Sequence, residues 1–428
     1  MSKRTHHGRS ILLLSVGHAC VDVYQGAVAA LVPFFVAERH YGYAAVSGVV
    51  LAASLLSSVA QPLFGALTDR RPLPWLLPVS TLLGGVGIAL SGVSGSYGLT
   101  LAFVALSGVG VAAYHPESAR VARLAARRAP GGRGGHRGMA WFSLGGNLGF
   151  AAAPLLVAAV VGAGGLRLTP LLVLPALAGT VLCLPVLREP ERRRAAGAEP
   201  PQPSAADDRG SFVKLSLAVV CRSITFVGLS TFLSLFVAQR LGGGAAAGPA
   251  GGAAGGTAAG TAALVVLYAG GAVGSVLGGA LADRWGRVAV AGWSYLVAAV
   301  AVAGVLLVPG PALYLFVALT SAGLYVPFSL QVTLGQDYLP SRIGTASGIT
   351  LGLTVSIGGL AGPLIGALAD ATSLRTALLP LVLMPVLSWA LFRALPEPVA
   401  PESVASESVA SARRGEPAQQ GEAAQAGA

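Results

Sequence analysis

Two copies of one short motif, Gly-Ala-Leu-Thr-Asp-Arg at residues 65–70 and Gly-Ala-Leu-Ala-Asp-Arg at residues 279–284, decide how this chain folds. Each copy stands in a short link between two apolar runs. A second matching pair, Phe-Val-Ala-Glu-Arg at 35–39 and Phe-Val-Ala-Gln-Arg at 236–240, precedes them in the same order. The two halves of the chain therefore resemble each other, as the parallel repeats of some membrane proteins do.

The composition around these motifs excludes a water-soluble globular domain. Hydrophobic residues make up 54% of the 428 residues and charged residues only 11%, against about 25% charged residues in soluble domains. A helix needs roughly 20 apolar residues to cross a bilayer, and it satisfies its backbone polar groups internally. The sequence predicts an all-α membrane protein with twelve transmembrane helices in two pseudo-symmetric six-helix bundles. The predicted spans are 11–37, 44–68, 74–95, 97–119, 138–163, 168–188, 213–238, 260–282, 288–308, 311–336, 343–369 and 374–395.

The basic residues support this count and orient it. Of the 28 lysines and arginines, 23 fall in predicted cytoplasmic segments and four in outer loops, which is the bias of a membrane protein with a positive inside. The remaining one, Arg222, lies deep inside a predicted span, away from both of its ends. Both termini are therefore predicted to be cytoplasmic. Because the charges occupy the links between spans, the net charge of +11 indicates orientation in a lipid bilayer, and no nucleic-acid partner is expected.

The predicted organisation has five parts. Residues 1–10 form a cytoplasmic N-terminus, 11–188 the first bundle, 189–212 a cytoplasmic linker, 213–395 the second bundle, and 396–428 a cytoplasmic tail. The tail repeats Glu-Ser-Val-Ala and lacks large apolar residues. Such a composition cannot bury a core, so the tail is predicted to be disordered.

Several motifs resemble those of one transporter family. Gly279-Ala-Leu-Ala-Asp-Arg-Trp-Gly-Arg287 resembles the signature of the major facilitator superfamily. His115-Pro-Glu-Ser-Ala-Arg-Val-Ala-Arg123, the pair His18 and Asp22, and the link Gln336–Gly344 are similar to the fosmidomycin resistance protein family of bacterial efflux transporters. Further matching positions are Gln61-Pro62, Thr68-Asp69-Arg70, Pro74-Trp75 and Ser347-Gly348. The resemblance implies a monomeric exporter of fosmidomycin-like phosphonates or other drugs in a bacterial cell membrane, driven by the proton gradient without a cofactor.

Asp22 and His18 lie near the middle of predicted span 1, four residues apart and on one helical face. Ionisable groups inside a membrane are costly and mark functional sites by default. Burial favours the neutral acid and a neighbouring cation favours the carboxylate, so the two effects oppose each other in this pair. Asp22 and His18 are therefore predicted to carry the coupled proton. The alternative is a structural pair that holds span 1 to its neighbour.

Arg222 lies at a similar depth in predicted span 7, the counterpart of span 1 in the second half. Arginine keeps its charge, so inside a membrane it needs an anionic partner. The partner is either Asp22, in a permanent pair, or an anionic substrate, because a guanidinium binds phosphate and phosphonate groups as a fork. The other polar residues predicted to line the substrate site are Tyr24, Gln25, Asn147 and Gln331.

Charged residues at the predicted cytoplasmic helix ends are predicted to act as gates. An aspartate there can accept hydrogen bonds from a helix N-terminus and from arginine, and so hold that side shut. Pro116 bends or opens the end of span 4, so its polar neighbours could instead belong to the substrate site. The predicted gate residues are Asp69, Arg70, His115, Glu117, Arg120, Asp283, Arg284, Arg287, Asp337 and Arg342.

The predicted function is secondary active transport of a small molecule, as proton-coupled efflux. Two alternatives stay open: proton symport that imports an anionic metabolite, and a polytopic membrane sensor or enzyme. The chain has no Gly-x4-Gly-Lys-Ser/Thr phosphate loop and no metal-ligand or disulfide spacing. We therefore expect no enzyme, no ATP-driven transport and no metal.

Overall fold

The described part of the chain is helical throughout. The computed structural model describes residues 2–70, 73–127, 134–187, 206–241, 249–340 and 343–398. Every regular element within these ranges is a helix, and the residues up to Leu395 form one compact unit. This confirms the predicted all-α membrane fold. The tail beyond residue 398 and most of the predicted linker, residues 188–205, lie outside the described residues.

Thirteen α-helices and two short 3-10 segments make up the described part. The α-helices are α1 (Ser2–Arg39), α2 (Tyr43–Arg70), α3 (Leu76–Ser91), α4 (Tyr97–Arg127), α5 (Gly134–Gly164), α6 (Leu174–Leu187), α7 (Arg209–Leu241), α8 (Pro249–Trp285), α9 (Arg287–Leu307), α10 (Leu313–Tyr338), α11 (Ile343–Ala371), α12 (Leu374–Leu378) and α13 (Leu383–Arg393). The 3-10 segments are Leu166–Val173 before α6 and Leu379–Val382 between α12 and α13.

Nine helical stretches among the described residues are long and apolar enough to cross a membrane. Three shorter apolar stretches, Tyr43–Leu56, Leu76–Ser91 and Ile357–Ala371, occupy predicted spans 2, 3 and 11. For these three, membrane crossing stays a prediction, and so does the total of twelve. The division into two bundles also stays a prediction.

Two of the predicted spans are not continuous α-helices. Pro170 lies inside the 3-10 segment that opens span 6, and Pro380 lies in the first positions of the segment within span 12. Proline lacks an amide hydrogen and clashes with the preceding turn, which disfavours an uninterrupted α-helix. Helix α7 begins at Arg209, inside the predicted linker, because Asp208 caps it by accepting a hydrogen bond from the Ser211 amide at 2.9 Å. The Ser211 hydrogen bonds hold the pKa of Asp208 below its usual value.

Close helix contacts depend on glycine. Gly145 and Gly149 on α5 face the backbone of Ser15 and Ala19 on α1, and a Cβ at either glycine would overlap that backbone. Small residues let membrane helices approach in this way, since lipid supplies no hydrophobic drive for association. The tight α1–α5 contact brings the side chains of α1 against α5, which determines the geometry of the site below.

The two halves of the chain meet at the predicted outer end. The Asp370 carboxylate at the end of α11 accepts hydrogen bonds from the Tyr43 and Ala44 amides at the start of α2, both at 2.9 Å. The Gln239 amide of α7 donates to the Tyr43 hydroxyl at 2.8 Å. Helices α2 and α11 pack along their outer halves, and α5 packs against α8. A cavity remains between the halves, below these contacts.

Candidate functional site

Asp22 on α1 contacts two histidines from different helices. Its Oδ2 lies 3.2 Å from His18 Nε2, one turn earlier on α1. Its Oδ1 lies 3.1 Å from His115 Nε2 on α4. Asp22 is 5% exposed and His18 is 7% exposed. The pairing of Asp22 with His18 was predicted from their spacing, whereas the sequence grouped His115 with the gate residues.

The other ring nitrogen of each histidine fixes its tautomer. His18 Nδ1 lies 2.9 Å from the Phe142 carbonyl of α5, and His115 Nδ1 lies 2.7 Å from the Val111 carbonyl of α4. A carbonyl oxygen only accepts hydrogen bonds, so each Nδ1 carries a hydrogen. Each Nε2 atom therefore faces the Asp22 carboxylate. It either presents its lone pair, when the imidazole is neutral, or carries a proton and donates it in a hydrogen bond.

This arrangement requires a shared proton. With both imidazoles neutral and Asp22 ionised, three acceptors would face one another in a buried place, which is costly. One added proton satisfies one of the two contacts and leaves acceptor facing acceptor at the other, and a second proton satisfies both, so the hydrogen bonding of the group depends on how many protons it holds. The three ligand atoms lie within 4.8 Å of one another, a spacing that suits proton sharing and is also within reach of a single metal ion.

Aromatic side chains pack around His18, whereas the His115 side chain is 22% exposed. The Phe142 ring stacks on His18 with a centroid distance of 4.2 Å. Tyr114, which is fully buried, tilts against the same ring at 6.2 Å. Gly146 on α5 leaves room for the group, because a Cβ there would overlap the Asp22 carboxylate and the His18 ring. We call His18, Asp22 and His115 the proton cluster.

Arg222 on α7 does not pair with Asp22, so the permanent pair considered from the sequence is wrong for this structure. Its Nη1 donates to the Leu324 carbonyl of α10 at 3.3 Å, and its guanidinium lies 5.2 Å from the centre of the Phe328 ring. Its Nε and Nη2 atoms are buried without hydrogen-bond partners. Arg222 is 1% exposed, and no carboxylate among the described residues forms an ion pair with it.

Two tyrosines lie near this cation, Tyr295 on α9 and Tyr325 on α10. Gln331 is buried and donates to the Tyr295 hydroxyl at 2.5 Å.

A cavity of about 80 Å³ lies between the halves, with walls from α1, α2, α4, α5, α7 and α8. Tyr24 and Gln25 line it on the first half, and Phe226 and Tyr268 line it on the second. Ligand pockets usually enclose ~300–1,000 Å³. In this conformation the cavity therefore offers too little space for a drug-sized molecule.

The predicted substrate-site residues divide into two groups. Tyr24 and Gln25 line the cavity, and the Tyr24 hydroxyl donates to the Leu172 carbonyl at 3.0 Å. Arg222, Gln331 and Asn147 are not among its lining residues. Arg222 and Gln331 lie together beside Tyr295, while Asn147 is half-buried on α5 next to Gly146.

Comparison with known proteins identifies the family. The sequence profile of the Major Facilitator Superfamily matches residues 14–363. The chain belongs to this superfamily. It is a multi-pass membrane transporter, and transporters of this superfamily bind small-molecule substrates. Both the superfamily and the resemblance to the fosmidomycin resistance protein family, predicted from motifs, are confirmed.

Two curated relatives and one solved structure give the extent of this likeness. The transporter is 28% identical over 350 residues to the fosmidomycin resistance protein of Escherichia coli (strain K12), over 79% of this chain and 81% of that protein. It is also 28% identical over 345 residues to the uncharacterized MFS-type transporter YfnC of Bacillus subtilis (strain 168), over 80% and 82%. A structure of the nucleoside transporter NupG superposes with a TM-score of 0.73 at 11% identity, over 90% of this chain and 99% of that one. This last likeness concerns the fold alone.

The predicted gate residues of the transporter have varied environments. Arg287 on α9 forms an ion pair with Asp337 on α10 at 2.5 Å. The Arg284 guanidinium lies 5.7 Å from the Trp285 ring, and Asp283 is exposed. Glu117 is fully buried and has an interaction partner. The side chains of Asp69, Arg70, Arg120 and Arg342 lie outside the described residues. No gating role is tested by these contacts, so the gates stay a prediction.

The sequence reasoning missed the aromatic residues around Arg222. One signal would have found them, because Tyr114-His-Pro-Glu-Ser118 on α4 has a counterpart on α10, Tyr325-Val-Pro-Phe-Ser329. In the first copy the residue before proline contacts Asp22. In the second copy the residue after proline, Phe328, contacts Arg222. Aligning the two would have predicted that α4 and α10 supply the partners of α1 and α7.

Proposed function

We propose that this transporter exports fosmidomycin-like phosphonates or other drugs in exchange for protons. It works by alternating access, as a monomer in a bacterial cell membrane with both termini in the cytoplasm. The observation that carries the proposal is the proton cluster. Asp22 and His18 are buried and His115 is partly exposed, and each histidine contact with Asp22 becomes a hydrogen bond when it gains a proton.

The position of the proton cluster supports coupling to the substrate. Asp22 is two residues from Tyr24, which lines the cavity, and His115 is one turn from Val111, which also lines it. A change at the cluster therefore acts on the same two helices, α1 and α4, that form the cavity wall. Protonation and substrate occupancy are thus able to influence each other through direct packing.

The contacts at the predicted outer end support alternating access. The cavity is too small for substrate in this conformation, so the two halves must separate at one end to admit it. Asp370, Tyr43 and Gln239 join the halves by hydrogen bonds between partly exposed groups. Such bonds contribute about 0.5–1.5 kcal/mol each between neutral groups and about 1.5–3 kcal/mol each to a carboxylate, so a few of them are able to break in a transport cycle.

The similarity to the fosmidomycin resistance protein of Escherichia coli supports the substrate class and the outward direction. The test is fosmidomycin flux in proteoliposomes under an imposed pH gradient, with internal pH followed in parallel. We expect the parent to move the drug against its gradient while protons move the other way. Drug and protons moving in the same direction would indicate a symporter instead. No fosmidomycin-dependent proton movement by folded parent protein would reject the substrate.

A variant tests the role of the proton cluster. Asp22→Asn removes the carboxylate between the two imidazoles, and we expect it to abolish accumulation against a gradient. Exchange of labelled for unlabelled fosmidomycin should persist, since exchange needs no net proton transfer and also shows that the variant is folded. Glu397→Gln, at an exposed acid beyond the last helix, is the matched control. Coupled accumulation by Asp22→Asn would overturn the assignment, and loss of parent flux with a metal chelator would indicate a metal at the cluster.

A further inference from the structure

The geometry points to Arg222 as the binding site for the acid group of the substrate, which we infer to be an organic anion with a phosphonate or carboxylate head and an apolar body. This inference rests on the proposed function and names the substrate class. It concerns the second half of the chain, across the cavity from the proton cluster.

The charge of Arg222 lacks a partner. Arginine stays protonated in proteins, and a buried cation without a counter-ion is strongly destabilising. The protein offers it one backbone carbonyl, from Leu324, and the face of the Phe328 ring. Neither carries a full negative charge. The described residues leave this cation uncompensated, so a bound anion would relieve a cost that the fold itself does not offset.

The unpartnered atoms of Arg222 form one edge of the guanidinium. Its Nε and Nη2 hydrogens point in parallel, and both atoms are buried without a hydrogen-bond partner. Two parallel donors match the two oxygens of a carboxylate, phosphonate or phosphate group. The third nitrogen, Nη1, is already bonded to the Leu324 carbonyl and so holds the plane of the group in place.

The cavity wall comes to within one helical turn of Arg222 on α7, although Arg222 itself does not line the cavity. Phe226 lines the cavity and lies one turn after Arg222, on the same face of α7. Its ring packs edge-on against Tyr325 at 5.3 Å. Movement of these two rings would connect the cavity to the guanidinium.

The lining indicates what the body of the ligand is like. Aromatic rings of Tyr24, Phe150, Phe226 and Tyr268 border the cavity, and such walls favour apolar or aromatic groups. A small inorganic anion would bind to the Arg222 guanidinium alone and would make no contact with these aromatic walls. An aryl or alkyl phosphonate, or the corresponding carboxylate, fits both the cation and the apolar wall.

Binding, measured apart from transport, tests the inference. Phenylphosphonate and its neutral diethyl ester share one aromatic body and differ in charge. Calorimetry on the purified protein in nanodiscs should show phenylphosphonate binding and at least about tenfold weaker binding of the ester. Arg222→Gln should weaken phenylphosphonate binding to the level of the ester. Arg222→Lys should lie between, because an ammonium keeps the charge but lacks the fork. Arg375→Gln, at an exposed arginine on the predicted outer side, is the control.

The outcomes separate this inference from the proposed function. Equal binding of the ester and the acid, or undiminished binding by Arg222→Gln, overturns it and marks Arg222 as a structural cation. If Arg222→Gln does not fold, the ratio of acid to ester affinity in Arg222→Lys decides, and an unchanged ratio overturns the inference. If phenylphosphonate binds at Arg222 but no proton-coupled flux occurs, the anion site is supported and the proposed function is rejected. If coupled flux occurs and does not depend on Arg222, the proposed function is supported and the anion site is rejected.

Discussion

The two halves of this transporter carry the same short motif on matching helices, but the motif contacts a carboxylate in the first half and a cation in the second. In the first half, Tyr114-His-Pro-Glu-Ser118 on α4 places an imidazole against the carboxylate of Asp22 on α1. In the second half, Tyr325-Val-Pro-Phe-Ser329 on α10 places an aromatic ring against the cation of Arg222 on α7. The first half thus carries ionisable groups in contact, and the second carries a charge that cannot be removed. Matching motifs in the two halves therefore place different chemistry beside α1 and α7, through the residue before the proline in one copy and the residue after it in the other.

Substitution of Gly146, which leaves room for the proton cluster, should give the largest effect of the variants that test this comparison. Alanine in place of glycine within a helix usually stabilises by roughly 0.5–1 kcal/mol. At Gly146, however, a Cβ would overlap Asp22 and His18, and overpacking costs about 1–3 kcal/mol. We expect Gly146→Ala to lower the thermal unfolding temperature in detergent and to abolish coupled flux.

Gly162→Ala is the matched control on the same helix, since a Cβ at Gly162 meets nothing within 4 Å. It should transport like the parent and unfold at the same or a slightly higher temperature. Parent-like flux by Gly146→Ala would mean that the proton cluster is not the coupling site, whatever its geometry.

A pair of substitutions at equivalent motif positions sharpens the comparison. His115→Gln removes one ionisable ring from Asp22, so we expect the pH dependence of coupled flux to flatten or shift while exchange persists. Val326→Ala changes the same position of the second motif copy, where no ionisable side chain contacts Arg222. Its flux should follow the parent's pH profile. Flux assayed at several symmetric pH values distinguishes the two, and a parent-like profile for His115→Gln would place the proton elsewhere.

The contact between the halves at the predicted outer end should give the smallest effect. Asp370 caps α2 through two amide hydrogen bonds at an exposed site, and loss of a cap costs about 0.5–2 kcal/mol. Asp370→Asn should therefore favour opening at this end. The measurement is the labelling rate of Ser230→Cys, in the cavity wall, by an impermeant thiol reagent added outside, in a background without the three native cysteines.

Thr372→Ala is the control for that experiment, because the Thr372 hydroxyl bonds only to its own helix at Leu368. Its labelling rate should match the parent. Faster labelling in both variants, or in neither, would show that the Asp370 cap does not hold the outer end closed.

Local patterns in the chain were sufficient for much of this picture. The helical membrane fold followed from long apolar runs, and the family followed from motifs such as His115–Arg123. Asp22 and His18 were found because a four-residue spacing on a helix brings side chains together. The 3-10 segments around Pro170 and Pro380 were missed, although proline marked both, because the apolar runs continue through them.

The partners of the buried charges depended on the fold. Depth alone made Asp22 one of two possible partners of Arg222, yet Asp22 contacts His115 and Arg222 contacts Phe328. Depth follows from counting residues along a helix, whereas contact depends also on how each helix is rotated about its axis and which helix it packs against. Rotation and neighbour are set by close packing at small residues such as Gly149 against Ala19, a property of pairs of helices that no single stretch of sequence contains.

The sequence by itself thus determined that the protein lies in a lipid bilayer, and it determined the class of fold, the family and the identity of the ionisable groups. Each of these depends on composition or on short spacings. Only the tertiary structure decided which of those groups meet. It joined two histidines to one aspartate and left the guanidinium of Arg222 with an open edge. Charges buried in a low-dielectric interior interact strongly at short range, so these few contacts, and not the inventory of charged residues, define the chemistry of the transporter.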